Sequence, residues 1–347
     1  MAIVTVGVVG LGLIGGSLAL DLVDAGVDVV ATTRAEEARA GAAAAGVDVV
    51  DDVASVVRRA DLVVLAVPVP ALDGALESVA SALGALGDAP RPTVTDVGSV
   101  KGPVLARAAD VLGDATTFVG GHPMAGTERQ GWSAAIRGLF RDRSWVVTVT
   151  DDVDLGRWAA VADLALRVGA TVVPARPEAH DDAVALVSHL PYALAAVAGS
   201  MLDSDPQAPL ARSLAAGSFS DLTRVAGGHP DLGRQIAVAN RGALAARLTE
   251  ARARLDALAG ALDGLDPGWA PEAPEVAAVF AAGRRGRERL DHARAEPGPE
   301  ATVALDRGGL VALGERGGRV VGVDPPATGA SEVSVRVVEP AAAEGDR

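Results

Sequence analysis

Four short segments of the chain combine polar and small residues in the way that ligand sites do. They are Asp96–Lys101, Gly121–Glu128, Ser188–Tyr192 and Phe219–Arg224. In a parallel-sheet protein such segments lie at the carboxyl ends of strands or at loop mouths, where ligands bind. His122 is the candidate general base, because an imidazole of pKa about 6.5 is largely unprotonated at neutral pH. The competing interpretation is a loop histidine that binds backbone groups beside Pro123.

Three further side chains in these segments are candidates for binding. Ser99 follows a predicted strand end and a glycine, where its hydroxyl could meet a ligand or cap the next helix. Lys101 is the only lysine among 31 basic residues; it could lie near ligand carboxylates or be solvated, and we assign it no chemical step. Arg224 offers a planar guanidinium that suits carboxylates. Its alternative is an intrahelical pair with Asp221 that contributes only tenths of a kcal/mol.

A glycine-rich turn near the amino terminus predicts a dinucleotide site. The turn Gly10-Leu11-Gly12-Leu13-Ile14-Gly15 lies between a predicted strand, Ile3–Val9, and a predicted helix. Gly10 makes the tight turn, Gly12 lets a pyrophosphate approach the backbone, and Gly15 lets the helix pack against the strand. The free N–H groups of the helix start, at Leu13 and Ile14, would face the phosphates. The alternative is a turn without a ligand.

The end of the second predicted strand bears on which dinucleotide binds. NAD sites usually carry an acid there, whereas this chain has Thr33 and Arg34, which could hold the 2′-phosphate of NADP. Alternatively, Arg34 stacks on the adenine, or Glu36 or Glu37 reaches the ribose. The cofactor is therefore NAD or NADP, and Val67, at the end of a later strand, is expected to touch it.

The elements that must position these residues follow from the pattern of apolar runs. Short β-branched runs alternate with Ala/Leu-rich runs, which predicts βαβ units around a buried parallel sheet. Strands are expected at Ile3–Val9, Asp28–Thr33, Leu62–Val67, Thr93–Val97, Trp145–Thr150 and Thr171–Val173, the last closing the domain, with helices at Gly15–Ala25 and Ala71–Leu86.

The predicted fold class is α/β in three parts. Residues 1–174 form a Rossmann-type, doubly wound parallel sheet, residues 175–295 an all-α domain, and residues 296–347 a short, weakly β extension of unknown role. The apolar runs Ala2–Leu20 and Ala183–Met201 are interpreted as buried core rather than membrane spans.

Composition narrows the class of function. A net charge of -14 disfavours nucleic acid and anionic membranes as partners, so a small molecule is the expected ligand. The chain has no cysteine, which excludes disulfides and thiolate chemistry and favours the cytoplasm. Its five histidines show no metal-ligand spacing, so no metal is expected.

Taken in order, the motifs resemble those of the prephenate and arogenate dehydrogenase family of tyrosine biosynthesis. The resemblance rests on Gly98-Ser99-Val100-Lys101, on His122-Pro123-Met124-Ala125-Gly126-Thr127-Glu128, and on His180-Asp181 followed by Ser188-His189-Leu190-Pro191, and it covers Ile3 to Arg285. It implies an oxidative decarboxylation in which the ring carbon bearing the 4-hydroxyl gives a hydride to NAD(P) and the ring carboxylate leaves as carbon dioxide. Prephenate would give 4-hydroxyphenylpyruvate, and arogenate would give tyrosine.

The resemblance also implies roles for individual residues. His122 would accept the hydrogen bond of the substrate hydroxyl, Ser99 would bridge hydroxyl and nicotinamide, and Arg224 would hold the substrate. His189 and Gly217 would lie at the substrate pocket, and Glu128 would gate its mouth. His180 is interpreted as an interface residue only. The resemblance further implies a homodimer built through the helical domain. It places Gly217 near the pocket, which leaves feedback inhibition by tyrosine, as a mimic of the substrate, open.

Two residues depart from the family pattern. Tyr192 stands where many members carry a histidine that contacts the substrate side chain, and Gly233 stands where many carry a tryptophan. The far wall of the pocket is therefore expected to be more open, and the choice between prephenate and arogenate stays undecided.

Two other functions fit the layout. A 3-hydroxyacid dehydrogenase would rely on a lysine or a His-Glu pair on a helix, whereas Lys101 follows a strand. A non-catalytic dinucleotide sensor would need neither His122 nor Ser99.

Overall fold

A parallel six-stranded sheet forms the amino-terminal part of the molecule. The computed structural model describes residues 3–127, 129–228, 230–265, 272–295, 298–324 and 330–340. The strands are β1 (Thr5–Val9), β2 (Asp28–Thr32), β3 (Asp48–Val49), β4 (Leu62–Leu65), β5 (Thr93–Asp96) and β6 (Phe118–Val119). Their order, β3-β2-β1-β4-β5-β6, places a topological switch point between β1 and β4. Ligands bind at such a point, outside the carboxyl ends of the strands.

Helices cover both faces of this sheet. They are α1 (Leu13–Asp24), α2 (Glu36–Ala44), α3 (Val53–Arg59), α4 (Val69–Gly84) and α5 (Gly102–Leu112). Every residue of β4 and β5 is buried, as is usual for a parallel sheet with two covered faces. That double burial explains why β4 is a continuous apolar run and why β5 begins with three β-branched residues, and both strands lie within the predicted ranges Leu62–Val67 and Thr93–Val97.

A second six-stranded sheet begins where the first one ends. The chain leaves β6 and after Gly120 enters β7 (Gly121–Pro123), which pairs with β8 (Ser144–Thr148) instead of with the first sheet. The hydroxyl of Thr148 accepts a hydrogen bond from Gly120 N at 3.0 Å and fixes the crossing. Helix α6 (Leu155–Arg167) then leads to β9 (Thr171–Ala175), parallel to β8.

The carboxyl-terminal segment completes this second sheet. Its elements are β10 (Ala301–Leu305), α14 (Arg307–Glu315), β11 (Arg319–Asp324) and β12 (Val333–Val338), and the sheet order is β10-β12-β11-β9-β8-β7. Strand β11 pairs with β9 through Val320 and Val172. Strand β9, which overlaps the predicted strand Thr171–Val173, is therefore not the edge of its sheet, because a strand from the far end of the chain covers it.

The part between the two halves of the second sheet is helical, which confirms the predicted all-α domain. It consists of α7 (Pro177–Val184), a π-helical turn (Ala185–His189), α8 (Leu190–Ser204), α9 (Ala208–Leu214), α10 (Gly217–Thr223), a 3-10 turn (Arg224–Gly227), α11 (Pro230–Ala239), α12 (Arg241–Asp263) and α13 (Pro274–Ala295). The π turn precedes Pro191, whose ring would clash with the carbonyl four residues earlier in a regular α-helix.

The run through α7 and α8 is more exposed than the sequence predicts. Pro177–Asp203 is continuous and its most apolar window has a mean hydropathy of 1.5, long and apolar enough to cross a membrane, yet one such helix is weak evidence of a span. Only 22% of that window is buried, and Val187 and Val197 are 65% and 54% exposed. The interpretation of Ala183–Met201 as a buried core helix is therefore wrong for the isolated chain.

Candidate active site

The glycine turn between β1 and α1 requires glycine at two positions. Gly10 has φ +99°, and a Cβ there would lie 2.6 Å from the carbonyl oxygen of Ala66. A Cβ on Gly15 would lie 2.0 Å from the carbonyl oxygen of Gly10, so a side chain would force α1 away from β1. A Cβ on Gly12 would meet no atom within 4 Å, which leaves this side of the turn open to a ligand. The turn thus has the shape that a pyrophosphate needs.

A groove of about 1200 Å³ runs from this turn along the sheet edge. Most of the predicted cofactor residues line it: Gly10, Gly12, Thr33, Arg34 and Val67. Leu13, Ile14 and Gly15 form the first turn of α1, where backbone N–H groups lack helical partners. The residues present fit a bound dinucleotide.

Acidic side chains near the end of β2 are engaged elsewhere. Asp51 lies 2.6 Å from Arg39 Nη2, and Asp52 accepts a hydrogen bond from Ser55 N at 2.7 Å as the cap of α3. The side chain of Glu36 is 91% exposed. Arg34 lines the groove together with Asp51 and Asp52, and among the described residues it is the one basic residue in the lining.

His122 lies on β7 and contacts a second histidine from the helical part. Its Nδ1 is 2.8 Å from Nε2 of His180, with the two rings edge to face at 79°. Burial, followed by the proximity of His180 and of Lys101, holds the pKa of His122 well below its ordinary value. The ring is therefore neutral at physiological pH, as a general base must be.

Asp181 completes a chain of three side chains with these two rings. Its Oδ1 lies 2.8 Å from Nδ1 of His180 and also accepts a hydrogen bond from Lys101 N at 2.7 Å, while Oδ2 accepts one from Gly102 N at 2.9 Å. Burial alone would raise the pKa of Asp181, but these hydrogen bonds lower it below its usual value. His180 is 3% exposed and joins the helical part to β7 through His122, so it lies at the interface between the two parts.

Lys101 is fully buried beneath the site. Its Nζ lies 2.5 Å from Asp96 Oδ2 and 2.6 Å from the carbonyl oxygen of Gly121, the residue before His122. Asp96 in turn accepts a hydrogen bond from Gly121 N at 3.2 Å. Both alternatives considered for Lys101, a solvated side chain and a ligand contact, are therefore wrong. Its ion pair with Asp96 joins β7 to the end of β5, and this places His122 beside the carboxyl edge of the first sheet.

His189 is held on the same side of the helical part. It is 2% exposed, and its Nδ1 lies 3.1 Å from Nδ2 of Asn240, which also donates to the carbonyl oxygen of Asp181 at 2.7 Å. Because an amide nitrogen only donates, Nδ1 of the neutral ring is the acceptor and Nε2 carries the hydrogen. That Nε2 is buried without a partner among the described residues. Burial lowers the pKa of His189.

Two other sequence candidates lie farther along the helical part. Gly217 begins α10 and Arg224 begins the 3-10 turn, and both of these elements pack against α8. Both residues are exposed at the surface of the chain.

Ser99 lies between β5 and α5, partly buried, and Lys101 occupies the cap position of α5. Ser99 is therefore not the helix cap. Glu128 lies outside the described residues.

The two departures from the family pattern prove to be in contact. A Cβ on Gly233 would lie 2.6 Å from Cε1 of Tyr192, so the tyrosine ring packs directly on the glycine. The expected opening of this wall is wrong, because the ring of Tyr192 fills the space that Gly233 leaves.

Sequence reasoning missed Asp181, Asn240 and Asp96 as members of the site. Asp181 and Asp96 were noted only as parts of motifs. Asp181 binds Lys101 N, 80 residues away in sequence, and Asp96 binds Gly121 N, 25 residues away. Nothing in the local sequence around Asn240 distinguishes it from an ordinary helix-start residue.

Comparison of the chain with known proteins identifies two matching family models and several related sequences. The chain matches a family model described as the nucleotide-binding domain of prephenate dehydrogenase over residues 18–174, and one described as its dimerization domain over residues 176–267. The prephenate dehydrogenase of Bacillus subtilis is 34% identical over 251 residues, which cover 71% of this chain and 67% of the relative.

Two crystal structures agree with these matches. Synechocystis arogenate dehydrogenase is 31% identical with a TM-score of 0.70, covering 82% of this chain and 99% of the other. Prephenate dehydrogenase from Aquifex aeolicus, in complex with hydroxyphenyl propionate and NAD+, is 27% identical with a TM-score of 0.74, covering 84% and 99%.

Proposed function

Because the chain belongs to the prephenate dehydrogenase family, we propose that it oxidatively decarboxylates prephenate to 4-hydroxyphenylpyruvate. The observation that carries the proposal is His122, a partly buried neutral imidazole that the Lys101–Asp96 pair holds at the carboxyl edge of the dinucleotide-binding sheet. A sensor would need no such base.

In the proposed mechanism, His122 Nε2 accepts the hydrogen bond of the substrate 4-hydroxyl. A nicotinamide bound along the groove would supply the acceptor for the hydride that leaves the carbon carrying this hydroxyl. Positive charge builds on that carbon, and His122 stabilises it by taking the hydroxyl proton, a contribution of about 10²- to 10⁴-fold. The bond to the ring carboxylate then breaks, its electrons make the ring aromatic, and His122 returns the proton to the phenol oxygen.

The substrate carboxylates need donors, and the helical part supplies them. We assign Arg224 to one carboxylate through its two parallel N–H groups. The buried Nε2–H of His189 is the second donor, because it lacks a protein partner among the described residues. Ser99 is assigned to the hydroxyl and the nicotinamide, and Tyr192 and Gly217 to the pocket wall. Feedback by tyrosine remains a prediction from the resemblance.

We further propose that the cofactor is NADP. Thr33 and Arg34 line the groove at the end of β2, and the neighbouring Asp51 and Asp52 are engaged by Arg39 and by Ser55 N. A 2′-phosphate there would meet the Arg34 guanidinium, while Asp51 and Asp52 are already bound by other groups.

The assembly that we propose is a soluble, cytoplasmic homodimer built through the helical part. The family model for residues 176–267 is described as a dimerization domain, and the apolar side chains of Val187 and Val197 in this part are 65% and 54% exposed. A second copy covering this face would bury it without a membrane.

The test is a two-by-two comparison of prephenate and arogenate with NAD and NADP, followed by the absorbance of the reduced nicotinamide. We expect turnover with prephenate and a higher kcat/KM with NADP. Turnover with arogenate alone would show that arogenate, and not prephenate, is the substrate. A strong preference for NAD would overturn the assignment of Thr33 and Arg34 to a 2′-phosphate. Binding of dinucleotide without turnover on either substrate would favour a sensor.

A further inference from the structure

A carboxylate and two imidazoles form a hydrogen-bonded chain that ends at the proposed base. Asp181 Oδ1 is 2.8 Å from His180 Nδ1, and His180 Nε2 is 2.8 Å from His122 Nδ1. We propose that Asp181 and His180 are positioning residues that hold His122 in the tautomer with hydrogen on Nδ1, leaving Nε2 as the acceptor for the substrate. The role of that acceptor rests on the proposed function.

The direction of each hydrogen bond follows from the donors available. An ionised carboxylate only accepts, so Nδ1 of His180 carries the hydrogen that Asp181 binds. A neutral His180 then has its lone pair on Nε2, and Nδ1 of His122 must be the donor. One nitrogen of a neutral imidazole is protonated, so Nε2 of His122 is left with its lone pair. The tautomer is thus set two side chains away from the reacting atoms.

Three further hydrogen bonds fix the position of Asp181, and with it the donor and acceptor order of the hydrogen-bonded chain. Its two oxygens accept hydrogen bonds from Lys101 N and Gly102 N, at the amino-terminal end of α5. Its own carbonyl oxygen accepts one from Asn240 Nδ2 at 2.7 Å. The positive end of a helix favours the ionised carboxylate, and the lowered pKa of Asp181 agrees with that.

The same chain has a second effect once the proton moves. When His122 takes the hydroxyl proton it becomes a cation, and its Nδ1–H still points at His180, with the carboxylate beyond. The negative charge of Asp181 then stabilises the imidazolium, as the buried aspartate of a serine protease triad does for its histidine. Without the chain, either nitrogen of His122 could carry the hydrogen, and one of the two tautomers cannot act as a base.

The first test needs no turnover. The ¹⁵N shifts and ring ¹H–¹⁵N couplings of histidine-labelled protein distinguish the two tautomers, and the chain has only five histidines. The His122 signals are assigned by their loss in His122→Asn. We expect hydrogen on Nδ1 of His122 at neutral pH. Hydrogen on Nε2 would overturn the proposal whether or not the protein turns over prephenate.

The second test separates positioning from structural support by kinetics. In His180→Leu the acceptor is gone, and we expect kcat to fall about 10²-fold with KM nearly unchanged. In His180→Gln the amide oxygen can accept from His122, so kcat should recover to within about tenfold of the wild type. Asp181→Asn should lower kcat and mix the two tautomers in the spectrum.

Asp182→Asn is the matched control, because Asp182 is the neighbouring carboxylate and pairs with Arg247 instead. It should leave kcat and the His122 spectrum unchanged. Wild-type kcat in His180→Leu, or equal losses in the leucine and glutamine variants, would overturn the proposal. A third result is possible, in which neither the wild type nor any variant turns over prephenate but His122 carries its hydrogen on Nδ1. The proposed function is then wrong, and the proposed positioning of the His122 ring is supported.

Discussion

His122 and Arg224 should respond differently when each is removed. Replacing His122 by Asn should lower kcat about 10²-fold or more while cofactor affinity stays nearly intact, because in the proposed mechanism the side chain acts on the reacting hydroxyl. Replacing Arg224 by Ala should act mainly through KM for the substrate. Steady-state kinetics together with dinucleotide titration measure both effects. The reverse pattern would mean that the two roles are exchanged.

The environment of His122 also predicts the pH dependence of the reaction. Burial, then His180 and Lys101, lower its pKa well below the ordinary value of about 6.5. The ring therefore stays neutral as pH falls through 6.5, and activity is lost only at lower pH, when the imidazole becomes protonated. A profile of kcat/KM against pH should be flat across that value. An acidic limb centred near pH 6.5, absent from a slower His122→Asn enzyme, would contradict this expectation.

At the scale of elements, the buried pair of Lys101 and Asp96 is expected to matter for folding. Both side chains are at most 1% exposed, and they join β5 to β7. Lys101→Met would leave a buried carboxylate without its cation, which typically costs about 3–5 kcal/mol in the free energy of unfolding. Urea denaturation measures the loss, and Lys101→Met with Asp96→Asn should recover part of it.

The control for this prediction is Asp73→Asn, which removes an exposed ion pair with Arg107. It should change stability little, since exposed pairs contribute little. An equal loss in both variants would show that burial of the Lys101 pair is not what stabilises the junction.

The strands and helices that could be predicted from the sequence are those whose burial shows as a pattern in consecutive residues. Strands β1, β2, β4, β5 and β8 each contain four consecutive buried residues, and the glycine turn follows directly on β1. Strands β6 and β7 have only two and three residues, too few for a pattern, so the crossing at Gly120 was missed.

The site shows the same limit. His122 stood out by residue type and motif, whereas its link to His180 spans 58 residues and depends on how the two parts pack. The contact of Tyr192 with Gly233 was likewise invisible, although both positions had been noticed separately.

For the whole molecule, the apolar face of α8 predicts the state of association. In the proposed homodimer, Val197→Asp would place two charges at the interface, one from each copy, and should convert the dimer to a monomer in light scattering. Ile136→Asp, at an exposed position outside the helical part, is the control and should remain dimeric. A dimeric Val197→Asp protein would show that the copies meet through another face.

The pairing of β11 with β9 has a consequence for how the protein is made. Leu310, Val320 and Val335 belong to the same buried cluster as Trp158 and Val172. During synthesis from the amino terminus, β9 leaves the ribosome long before the strand that covers its edge. The second sheet is therefore a non-local structure that closes last, and an unpaired β9 edge is exposed to other chains until the final strands arrive.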